Sequence, residues 1–190
     1  MRRRSSRIGP VPIGPAHRLR IPDPSLVVLV GAAGSGKSTL AARLFSPAEI
    51  LSSDAFREIV SGDASDQRAT RLAFSILHRE VVRRLAKGQM VVVDATNVDA
   101  FARRALVRRA GVAGRPAVAI VLALPAAVVL ARNAARIGRV VDPAIVERHL
   151  RRLKAALATD QLSGEGFAAV HVLTDPAGVD ALSIVRAPRR

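Results

Sequence analysis

Cysteine is missing from this chain of 190 residues, as are tryptophan and tyrosine, and phenylalanine occurs only five times. Without thiols there is no disulfide and no thiolate-bound metal centre, which fits a reducing compartment such as the cytoplasm. Long apolar runs are also scarce. The most hydrophobic stretch, PAVAIVLALPAAVVLA at 116–131, is too short to span a bilayer and is broken by Pro125. It reads as a buried strand followed by a helix, and no membrane association is expected. The N-terminal segment has a basic start with no apolar stretch behind it, because Pro10, Pro12, Pro15, Pro22 and Pro24 interrupt it. A secretory signal needs that stretch.

Acidic residues are scarce relative to basic ones, 15 against 30, for a formal charge of +15. Nine of the basic residues lie in the terminal segments, which contain no acid. A polyanionic partner is one reading of this balance. A GC-rich coding sequence is the other, since arginine greatly outnumbers lysine. Apolar residues make up 49% of the chain, enough for a real core, and one domain is the simplest organisation. The expected layout is a disordered basic arm over 1–20, one domain over 21–185 and a basic tail over 186–190.

Within that domain, unbroken runs of branched apolar residues at 26–30, 49–52, 90–95, 117–124 and 168–173 predict strands. Their lack of alternation suits strands covered on both faces. Helical patterns fall between them, at about 37–45, 55–61, 66–87, 98–111, 126–137 and 143–159. Strand alternating with helix implies a three-layer α/β domain around a mostly parallel five-stranded sheet.

The first strand runs straight into GAAGSGKST, the segment Gly31, Ala32, Ala33, Gly34, Ser35, Gly36, Lys37, Ser38 and Thr39. This matches the G-x-x-x-x-G-K-[ST] pattern of a P-loop. Its glycines let backbone N–H groups converge on phosphate oxygens, and the following helix presents its positive end to them. Lys37 is expected to reach the β and γ phosphates of ATP, and Ser38 to hold Mg²⁺. At a later strand end, Asp94 is either a second magnesium holder or a turn cap. Ala95 follows it, where a water-activating acid would stand in a hydrolase, and the base-reading N-K-x-D of a GTPase is absent. Hydrolysis as the main task is disfavoured.

Asp54 follows the second strand, at the sheet edge where ligands bind in parallel α/β folds. It is either a helix cap or the acceptor of a proton from an attacking hydroxyl. Arg57 lies one helical turn on and could hold an anionic group of the acceptor. Arg132 and Arg136, four apart on one helix face with Arg139 beyond, are either lid cations over the phosphates or a solvated basic face.

Together, IPDPSLVVLVGAAGSGKST, EILSSDAFREIV, the segment from DQRATRLAF to VVVDATN, and LARNAAR resemble the kinase module of bacterial polynucleotide kinase–phosphatase, an RNA-repair family. The resemblance covers residues from about 21 to about 174. It implies a P-loop NTPase fold with a helical lid, ATP and Mg²⁺ as cofactors, and RNA or DNA 5′-hydroxyl ends as partners. It also implies that Asp54 is the general base, that Arg57 contacts the acceptor's phosphate, and that Arg132 and Arg136 engage the donor. Thr96, Asn97 and Arg103 would lie near the acceptor. No D-x-D-x-[TV] phosphatase motif occurs and no ligase module is seen, so a kinase alone is expected. Base stacking would rely on Phe56 or Phe101. A small-molecule hydroxyl kinase and a non-catalytic, nucleotide-gated RNA-binding protein are the alternatives.

Overall fold

The computed structural model describes residues 11–12, 18–61, 70–137 and 140–188. Arg139 and most of the expected arm lie outside the described residues. The strands are β1 (Val11–Pro12), β2 (Arg18–Asp23), β3 (Leu26–Val30), β4 (Ile50–Ser52), β5 (Val91–Asp94), β6 (Ala117–Leu122), β7 (Ala169–Leu173) and β8 (Ser183–Pro188). The helices are α1 (Lys37–Leu44), α2 (Ser53–Ser61), α3 (Thr70–Ala86), α4 (Ala100–Val112), α5 (Ala126–Ala134), α6 (Pro143–Ala158) and α7 (Pro176–Asp180).

Parallel pairing orders the main sheet β1-β7-β6-β3-β5-β4. The five expected strands form it, and β1 adds two residues beyond β7. All five residues of β3 and all six of β6 are buried, as their unbroken apolar sequences require. Side chains alternate between two cores. Val28, Val91 and Ala119 face Leu77, Leu106 and Leu153, whereas Val27, Val92 and Ile120 face Leu40, Phe45 and Val129. Helices therefore cover both faces of the sheet.

Strand order reverses around β3, whose neighbours β5 and β6 both follow it in the chain. A crevice opens at the C-terminal ends of strands where order reverses in this way. Leu29 pairs with Asp94 there, so the P-loop root and Asp94 are placed side by side.

A second sheet joins the chain's two ends, with β2 and β8 parallel from Arg18↔Ser183 to Asp23↔Pro188. Residues 18–20 therefore belong to a paired strand and not to the arm, and Arg186 belongs to β8 and not to a tail. Leu19 and Ile21 are buried in the second core. Arg186 donates to Glu49 at 2.6 and 2.7 Å, and this bond holds the Glu49 carboxyl below its usual range. Among the described residues, no helix is long and apolar enough to cross a membrane.

Candidate active site

A cavity of about 630 Å³ opens at this sheet edge. The P-loop forms its floor. Gly34 adopts φ 84°, and a Cβ there would meet the Val129 carbonyl at 2.5 Å. Glycine is therefore required where α5 presses on the loop. The Ser35 hydroxyl is buried without a hydrogen-bond partner among the described residues. Buried polar atoms are normally satisfied. A loop with an orphaned hydroxyl ahead of a helix N-terminus fits a phosphate chain.

Lys37 is buried and donates to the Ala32 carbonyl at 2.8 Å. Burial pulls its pKa from 10.5 to about 8, Asp94 offsets part of that fall and Arg136 adds to it. Ser38 and Asp94 line the same cavity. A hydroxyl and a carboxylate form the hard oxygen set that Mg²⁺ takes when phosphates and water complete its shell. The residues present thus fit the cation.

Asp54 and Arg57 form an ion pair on the first turns of α2, and both line the cavity. Helix α2 begins at Ser53, so Asp54 lies inside the first turn. Its carboxylate is half-exposed, whereas Arg57 is largely buried beneath it. Arg132, in the last turn of α5, and Arg136, just after that helix, also line the cavity. A Cβ on Gly36 would sit 3.6 Å from Arg132 Nη1, which places that guanidinium directly above the P-loop. Both arginines thus line the cavity that holds the P-loop.

Thr96 also lines the cavity, but Asn97 and Arg103 do not. Arg103 is fully buried, with bonds of 2.7 and 2.6 Å to Glu165 and one of 3.0 Å to the Asn97 carbonyl. An arginine sealed against a carboxylate cannot meet an acceptor, so the expected substrate contact by Arg103 is corrected to a structural one. Asn97 is likewise buried, at φ 48°, and its amide donates to the Leu29 carbonyl at 2.8 Å. It braces the strand that feeds the P-loop and does not touch ligand space.

Four further residues shape the site. Asn133 is buried, and its side chain donates to the Val141 carbonyl at 2.7 Å and accepts from Val141 N at 3.2 Å. This clasp closes the loop that carries Arg136. Arg43 binds the carbonyls of Leu182 and Val179 at 2.7 and 2.6 Å, anchoring α1 to the turn after α7. His149 lines the cavity from α6, and burial, then Arg148, Lys37 and Arg152, lowers its pKa. Its spacing from Val146 and Leu153, both buried, was the available signal that it faces inward. Phe74 lines the cavity, whereas Phe56 packs against the core and Phe101 stands 76% exposed on α4.

The AAA domain family profile matches residues 26–159. The chain belongs to the AAA domain family. Solved kinases share its fold. A Chloroflexus aurantiacus protein described as a kinase is 20% identical, with 83% of this chain and 87% of that one covered at a TM-score of 0.58. A chain of the Pnkp1/Rnl/Hen1 RNA repair complex is 24% identical, at a TM-score of 0.63. The match covers 73% of this chain and 47% of that one, so the present chain spans about half of the repair protein. A gluconokinase from Sinorhizobium meliloti is 18% identical, with 85% and 90% covered and a TM-score of 0.52. These identities speak to fold alone. No curated protein matches the sequence.

Proposed function

We propose that this AAA domain protein is an ATP-dependent polynucleotide 5′-hydroxyl kinase acting on RNA or DNA ends. The observation that carries the reading is that Asp54, Arg57, Lys37, Arg132 and Arg136 all line one cavity, with the Asp54–Arg57 ion pair and the P-loop lysine in it together. Asp54 takes the proton of the acceptor hydroxyl as its oxygen bonds to the γ phosphorus and the bond to the β–γ bridging oxygen breaks. Lys37, Arg132 and Arg136 neutralise the charge that gathers on the bridging and γ oxygens. Arg57, paired with Asp54, orients that carboxylate and contacts an acceptor phosphate. Bound Mg²⁺, held through Ser38 and Asp94, would supply further charge neutralisation on the phosphates.

The half-exposed Asp54 carboxylate supports a large acceptor, because a chain end can approach it from solvent. The test is transfer of labelled γ phosphate to a 5′-hydroxyl oligonucleotide, with Asp54→Ala as control. Loss of transfer in the variant with ATP binding retained is expected. Transfer to small alcohols and never to oligonucleotides would overturn the reading in favour of a small-molecule kinase. Oligonucleotide binding gated by ATP without any transfer would favour a non-catalytic role.

A further inference from the structure

The cavity's rim continues as a basic surface that the chemistry of transfer does not use. Arg148 lines the cavity from α6, and Arg152 lies one helical turn further along the same helix. Arg152 reaches Asp99 Oδ2 at 3.9 Å. Asp99 is the N-cap of α4, accepting from the backbone N–H of Phe101 at 2.8 Å. Phe101 is the aromatic left 76% exposed at the start of α4. Arg104 and Arg108 follow it at spacings of three and seven, which puts all three on one helix face, and both arginines are exposed. Among the described residues, neither arginine makes an ion pair. The path from the phosphate-binding cavity thus leads over Arg152 and its Asp99 partner to an exposed ring and to two guanidinium groups with no acidic partner among the described residues, a stretch of roughly 10 Å along α4.

We propose that Arg152, Phe101, Arg104 and Arg108 form a track for the single strand behind the acceptor nucleotide. This rests on the kinase reading and extends it from the chain end to the chain body. The arginines meet backbone phosphates, and the Phe101 ring offers a stacking face to one base without regard to its identity. A solvated basic face would not require an exposed aromatic at its centre. An anionic bilayer would not require continuity with a phosphate cavity.

The experiment compares two 5′-hydroxyl acceptors, a dinucleotide and a single strand of about twelve nucleotides, the latter long enough to span the track. The variants are Phe101→Ala and the pair Arg104→Gln with Arg108→Gln, all at exposed positions, with melting temperature as a folding check. KM for the longer strand should rise about fivefold or more in Phe101→Ala, with kcat and the dinucleotide KM unchanged. For the arginine pair, the salt dependence of strand affinity, read by anisotropy of a labelled strand, should lose about 0.7 in logarithmic slope per arginine. Unchanged longer-strand KM and slope in both variants overturn the track, as does equal loss on both acceptors, which would place these residues at the acceptor itself. Variant-sensitive binding to phosphatidylserine vesicles with none to the strand overturns it in favour of a membrane. If the wild type transfers to neither acceptor, the kinase reading fails separately. Anisotropy then still decides the track, since variant-sensitive strand affinity upholds it and insensitive affinity overturns it.

Discussion

Arg103 and Glu165, sixty-two residues apart, form a two-pronged ion pair with no solvent exposure on either side chain. The third arm of that guanidinium holds the Asn97 carbonyl, and the Asn97 amide holds Leu29, two residues before the P-loop. Two buried side chains thus relay from the far side of α4 to the phosphate floor. Removing one partner strands a buried charge. Glu165→Ala is expected to cost about 3–5 kcal/mol in urea unfolding. The double replacement Arg103→Met with Glu165→Leu should recover most of it. A substrate contact would instead show as a raised acceptor KM at unchanged stability.

Lys37 couples the site to pH. The native state lowers its pKa to about 8 from 10.5, chiefly by burial. Below about 8 native and unfolded chains both hold the proton, and the burial penalty, about 3 kcal/mol, is fully present. Between about 8 and 10.5 the native lysine has lost the proton that the unfolded chain keeps, so stability rises with pH across that window. Lys37→Met is expected to unfold at higher denaturant than the wild type at neutral pH, and to lose the rise. The same variant should fail to bind ATP, and wild-type affinity should fall as pH passes about 8.

Asn133→Ala leaves the partly buried Val141 backbone without its clasp, a loss of about 1 kcal/mol. Because that clasp closes the loop bearing Arg136, the ATP KM should rise and kcat fall, while acceptor KM holds. Steady-state kinetics with each substrate varied in turn checks this split.

Two glycines give opposite outcomes. Gly34→Ala forces a Cβ against the Val129 carbonyl at a left-handed φ, and should abolish ATP binding and lower the melting temperature. Gly111, inside α4, has nothing within 4 Å of an added Cβ. Gly111→Ala should stabilise the protein by about 0.4–1 kcal/mol at unchanged activity. Thermal unfolding of both variants measures the contrast.

Arg57→Gln separates acceptor binding from proton transfer. Loss of a charged hydrogen bond worth about 1.5–3 kcal/mol should raise acceptor KM roughly ten- to a hundredfold. Asp54→Asn should instead depress kcat by about 10²–10⁴. Single-turnover assays over a range of acceptor concentrations distinguish the two.

Much of the protein was legible in one dimension because its determinants are local. Runs such as LVVLV and AVAIVL can be buried only between two covering layers, and each became a strand of the parallel sheet. The G-x-x-x-x-G-K-[ST] spacing encodes backbone conformation directly, so the P-loop needed no tertiary information. Asp54, Arg57, Asp94, Thr96, Arg132 and Arg136 sit where strand ends and helix faces put them, and all reach the one cavity.

What the chain order could not show was which distant groups meet. Residues 18–20 fall by sequence in the expected arm, yet together with 21–23 they pair in register with a strand 165 positions later. Arg103 looked like a ligand contact until Glu165 folded against it, and Asn133 was silent until Val141 returned to it. Whether a polar side chain faces ligand or partner depends on what covers it, and burial is a property of the packed layers and not of the local sequence. Sequence therefore determined the sheet, the cradle and the types of the reacting groups. Tertiary packing alone decided which arginines face the cavity and which are sealed in the core.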